Sequence, residues 1–139
     1  PLCIISPSSI LIKKNLFFKL GGFDEEFPAC EDYDLWLRLA LHEDVGYIDE
    51  PLIVKSGGHS DQLSRQWGLD IYRLKALTKM IDSGELSNAY TILTLKEIIN
   101  RCKILIIGYR NRGKSAEADF FKQEMQKWEY QLCRALESK

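Results

Sequence analysis

A chain of 139 residues, 45% apolar and 28% charged, is long enough to bury about two thirds of its unfolded surface, and its composition excludes intrinsic disorder. Its 19 basic and 20 acidic side chains sum to −1, so no net field gathers nucleic acid or anionic lipid over the molecule as a whole, and no nucleic-acid partner is expected. The cysteines Cys3, Cys30, Cys102 and Cys133 are dispersed with no C-x-x-C pair, and no stretch reaches the roughly 20 apolar residues of a membrane span, so free thiols in a cytoplasmic chain without a transmembrane segment are expected.

The chain opens on Pro1 and passes at once into Leu2-Cys3-Ile4-Ile5, an apolar run with no start signal before it, as expected of a piece of a longer protein. Ser9 to Ile12, after Pro7, reads as a short strand ending in β-branched residues. Residues 13–20 then read as a short helix closed by Gly21-Gly22. Phe23 to Pro28 is turn-rich, and Glu31-Asp32 opens a helix to about His42, with Leu35, Trp36 and Leu39 available for its buried face. The acidic first turn suits the positive end of the helix dipole. Segments 46–48 and 52–54, on either side of Pro51, read as extended and end at Ser56-Gly57-Gly58-His59.

Near residue 60 the texture changes. Three helices are expected at 61–82, 86–108 and 114–137, broken at Ser83-Gly84 and Asn111-Arg112-Gly113. In the last of them Phe120, Phe121, Glu124, Trp128 and Cys133 outline a stripe expected to pack into a core. The chain therefore divides into a portion 1–60 and a helical extension 61–139.

The stretch with the most chemical content is Gly21-Gly22-Phe23-Asp24-Glu25-Glu26-Phe27 followed by Glu31-Asp32-Tyr33-Asp34-Leu35-Trp36-Leu37-Arg38-Leu39. By residue type alone it describes a glycine turn and a surface helix whose acids stabilise its first turn. As a string, G-G-F-D-E-x-F and then E-D-Y-D-L-W-L-R-L resembles the signature of family 2 glycosyltransferases with the GT-A fold. That resemblance implies an α/β fold: residues 1–60 as the acceptor-side part of a Rossmann-like catalytic domain, with its sheet, ahead of the helical extension. It implies Asp32 as catalytic base with Glu31 as its acidic neighbour, and Gly21, Gly22, Phe23, Asp24 and Trp36 shaping the acceptor side. It also implies a nucleotide-sugar donor, a glycan or lipid-linked acceptor of the kind met in polysaccharide biosynthesis, and inversion at the anomeric carbon. His59, in Ser56-Gly57-Gly58-His59-Ser60, resembles a residue that in some of these enzymes meets a divalent ion, so Mg²⁺ or Mn²⁺ is implied for the intact enzyme and none tightly held by this piece. The alternative for His59 is a turn residue ahead of a helix capped by Ser60 or Asp61.

Asp32 and Asp34 spell D-x-D inside a helix start, which is not where the family's metal aspartates lie. Gly113-Lys114-Ser115 lacks the earlier glycine of a P-loop. Without a donor-binding half the piece is expected to be inactive alone and to self-associate through exposed sheet edges. The rival reading is a noncatalytic helical interaction module, built on the three C-terminal helices.

Overall fold

The computed structural model describes residues 5–54 and 66–137, in two compact units, Pro1–Leu69 and Asp70–Lys139. In the first unit a 3-10 turn at Pro7–Ser9 leads to α1, Lys14–Lys19, and then to α2, Glu31–His42. Leu35, Trp36 and Leu39 on α2 form its core, against which Ile5, Ile10, Ile12, Leu16, Phe17 and Leu20 pack. Trp36 also donates its indole N–H to the Ile5 carbonyl at 3.0 Å, pinning the segment before the 3-10 turn to the helix.

The expected α/β architecture is corrected here, because the described residues contain five α-helices, one 3-10 turn and no strand or sheet. The strand expected at residues 9–12 does not form. Ile10 is extended, with φ −120° and ψ 144°, and the inside-outside alternation is present, Leu11 being fully exposed between half-buried Ile10 and Ile12. A strand, however, exists only as one member of a hydrogen-bonded pair. Ile10 and Ile12 bury themselves against α2 instead, and segments 46–48 and 52–54 run without regular structure, Tyr47 and Val54 almost wholly exposed.

The second unit is helical: α3, Leu69–Asp82, which starts at the last residue of the first unit, α4, Asn88–Arg110, and α5, Ser115–Glu137. The start expected at residue 61 is late, since residues 66–68 form a turn around Gly68, φ 92°, and 61–65 lie outside the described residues. The Ser87 side chain caps α4 by accepting the Tyr90 N–H at 3.3 Å. At the other end Gly113 N–H bonds the Arg110 carbonyl and Lys114 N–H the Tyr109 carbonyl, both at 3.0 Å, which is the paired closure of a Schellman motif. That turn brings α5 back along α4, where Leu105, Ile106, Tyr109 and Ala118 make a core joined by Ile71, Leu74, Phe121 and Met125. The stripe expected on α5 is rotated: Phe121 packs, but Phe120 and Cys133 are exposed. Tyr109 captures Phe121 by stacking at 5.5 Å, and so selects the neighbouring ring position.

Arg101 of α4 lies within this unit and pairs with Asp70 of α3 at 2.8 Å and with Glu97 one turn back. Burial opposes ionisation of Asp70, yet the hydrogen bonds and charges of Arg101 and Arg73 outweigh it and hold the carboxyl below its ordinary range. Burial, with Glu124 and Glu129 nearby, pushes the Cys102 thiol up to about 11, so it behaves as an apolar core group.

Candidate functional site

The glycine pair stops α1 through backbone geometry. Gly21 N–H bonds the Phe18 carbonyl at 3.0 Å and Gly22 N–H the Phe17 carbonyl at 2.9 Å, with φ of 83° and 66°. This is again the Schellman closure, and it requires the left-handed region that side-chain-bearing residues avoid. At Gly22 space is short as well, because a Cβ would stand 3.2 Å from the Phe17 ring. Gly21 is exposed and a Cβ there would meet nothing.

Phe23 leaves this turn with its ring edge-on to Phe17 at 5.5 Å and to Trp36 at 6.5 Å, and stays 40% exposed. It therefore presents an aromatic surface that is fixed from behind. Asp24 shapes the next turn: its carboxylate accepts the Glu26 N–H and its carbonyl the Phe27 N–H, each at 3.0 Å. Phe27 and Ala29 are buried, anchoring the loop before it reaches α2.

Cys30 takes φ 63° immediately before α2, a conformation that costs an ordinary L-residue about 1–2 kcal/mol. Nothing in the sequence marks Cys30 for it. Glu31 and Asp32 follow, both half-buried, and the Asp32 carboxylate accepts the Tyr33 N–H at 2.7 Å.

Asp34 and Arg38 were absent from the sequence-based site, and they tie it together. Asp34 is fully buried and takes two hydrogen bonds on one carboxylate oxygen from Arg38, from Nε at 2.9 Å and from a terminal nitrogen at 2.6 Å. The same guanidinium donates to the carbonyls of Leu20 and, at 2.8 Å, Gly22. The end of α1 and the first turn of α2 are thus held on one planar cation. The i, i+4 spacing of Asp34 and Arg38 was a visible signal for the pair.

Of the sequence-predicted residues, Gly22, Phe23 and Trp36 come together, Gly21 and Asp24 shape the two turns beside them, and Glu31 and Asp32 open the helix that Arg38 ties to Gly22. His59 lies outside the described residues. No group of three metal-ligating side chains occurs among the described residues, and Asp34, committed to Arg38, is not available to a cation beside Asp32.

Residues 3–51 match the family described as glycosyltransferase like family 2. An uncharacterized glycosyltransferase of Rickettsia typhi is 29% identical over 136 residues, 98% of this chain and 38% of its own length. A counterpart in Rickettsia prowazekii is 28% identical over 133 residues, 96% of this chain and 37% of its own. One from Rickettsia felis is 35% identical over 63 residues, 45% of this chain and 10% of its own. The chain thus spans less than two fifths of the length of these relatives, and in the first two the similarity runs through the helical unit as well. No solved structure matches it.

Proposed function

We propose, for a chain of the family 2-like glycosyltransferases, that residues 3–51 form the acceptor side of an enzyme moving a sugar from a nucleotide-sugar donor to an acceptor hydroxyl. The observation that carries this reading is the coincidence of the family match with the place where a glycine turn, a fixed exposed ring and an acidic helix start are tied together by Arg38.

In this reading an acceptor lies against Phe23, bounded by the Gly21-Gly22 and Asp24 turns and backed by Trp36. Its hydroxyl oxygen forms a bond to the anomeric carbon on the face opposite the leaving group, inverting that centre. The bond from carbon to diphosphate oxygen breaks and its electron pair leaves with the diphosphate. The hydroxyl proton passes to the Asp32 carboxylate, with Glu31 keeping the surroundings acidic, and such assistance is worth on the order of 10²–10⁴ in rate. A divalent cation in the intact enzyme would balance the charge of the departing diphosphate, and any role of His59 toward it belongs to the same proposal. The dispersed cysteines suit a cytoplasmic enzyme, and the acceptor class remains a glycan or lipid-linked hydroxyl.

The test is Asp32→Asn in the intact protein. Turnover falls about 100-fold or more while nucleotide-sugar affinity and melting temperature stay near wild type. Glu25→Gln is the control, an exposed acid in the turn that precedes α2, and leaves turnover within about threefold. Equal losses at the two positions, or an unchanged rate at Asp32→Asn, remove Asp32 as the base.

A further inference from the structure

The side of α4 that faces away from the α4–α5 core carries large aliphatic side chains, interrupted by the amide of Asn100, and its charges are of one sign. Leu93, Ile104 and Ile107 are 59%, 41% and 60% exposed, and at about 100° per residue they fall within a sector of about 60°. Beside them Lys96, Lys103 and Arg110 recur at seven-residue spacing, all exposed and without an ion-pair partner among the described residues. They form a basic row along the apolar one. Leu95, Cys102 and Tyr109, each next in sequence to one of those positions, are buried, which fixes the orientation of the helix.

The sector holds no carboxylate. The nearest acid on α4, Glu97, is turned to Arg101 and only 14% exposed. The whole chain carries a charge of −1, so this concentration of positive charge does not follow from the composition. Three large aliphatics on the outermost strip of a helix stay in unfavourable contact with water unless something covers them. A cover that also accepts three unpaired cations must be negatively charged and able to take in apolar side chains.

We infer that this face of α4 docks on an anionic membrane surface, with Leu93, Ile104 and Ile107 entering the headgroup boundary and Lys96, Lys103 and Arg110 meeting lipid phosphates. α4 lies in the interface, since no helix among the described residues is long and apolar enough to cross a membrane. The inference is independent of the sugar-transfer reading. It gives the helical unit a task of its own, holding the protein at a surface.

Co-sedimentation of the 139-residue chain with vesicles of phosphatidylcholine, with and without phosphatidylglycerol, tests it. The chain partitions onto the anionic vesicles only, and less so as salt is raised. The triple variant Lys96→Gln, Lys103→Gln, Arg110→Gln loses on the order of a hundredfold in partitioning. The triple Lys122→Gln, Lys127→Gln, Arg134→Gln removes the same charge from exposed positions on α5 and stays within about threefold of wild type. Circular dichroism confirms that both remain helical, as substitutions at exposed positions allow. Ile104→Trp gives a second reading that needs no loss of function: brominated phosphatidylglycerol quenches the added indole when the face is inserted. Absence of partitioning onto anionic vesicles, as an acidic protein partner would give, overturns the inference. So do equal losses in the two triples, or an indole at 104 that brominated lipid leaves unquenched.

Discussion

A carboxylate as deeply buried as that of Asp34 is stable only while a cation faces it, because the desolvation it suffers is regained through close charge-assisted hydrogen bonds. Arg38→Ala therefore leaves Asp34 without its guanidinium and takes a donor from the Leu20 and Gly22 carbonyls. The expected cost is about 3 kcal/mol in denaturant unfolding. The pair Asp34→Leu with Arg38→Met recovers most of that stability, since two apolar side chains of similar volume need no counter-charge. A single Arg38→Ala that costs no more than a surface ion pair would show the guanidinium to be dispensable to the loop. By type and position Asp34 reads like Asp32, two residues earlier on one helix turn. What separates them is burial, set by Leu20 and Gly22 folding over Arg38, and burial of one residue under a distant segment is not a property of the local string.

Element boundaries were legible where they depend on neighbours in sequence. α2 covers the expected span from Glu31 to His42, and the breaks at Gly21-Gly22, Ser83-Gly84 and Gly113 all hold left-handed glycines. The strands read from the sequence do not form among the described residues, because the alternation at Ile10, Leu11 and Ile12 reports which side chains are buried and not what they are buried against. The glycine turn permits a quantitative check. Gly21→Ala meets open space and costs about 1 kcal/mol, the left-handed backbone alone. Gly22→Ala adds the contact with the Phe17 ring, which the packed Phe23 and α2 prevent from moving away, and costs about 2 kcal/mol or more. Equal costs in urea unfolding would mean that the Phe17 ring gives way freely, and that Gly22 is present for the backbone turn alone.

At the scale of the whole molecule the two units bury their surface to different degrees. The helical unit has a continuous core along α4, from Leu95 to Tyr109. The first unit leaves Leu11, Phe18, Tyr47, Ile48, Leu52 and Val54 between 64% and 100% exposed. Self-association was expected from unpaired sheet edges; with no strand among the described residues that route has no support, and the exposed side chains supply another. Light scattering over a concentration series is expected to give a mass that rises with concentration and falls back as the temperature is lowered, as hydrophobic contacts weaken. Leu52→Ser with Val54→Ser moves the onset to higher concentration, while Ile104→Ser with Ile107→Ser, on the α4 face assigned to lipid, leaves it unchanged. The contrast separates the two apolar surfaces. A monomer at every concentration would mean that residues 45–54 tolerate water as they stand, and an effect confined to the α4 pair would move the association, and with it the occupant proposed for that face, to a second copy of the chain.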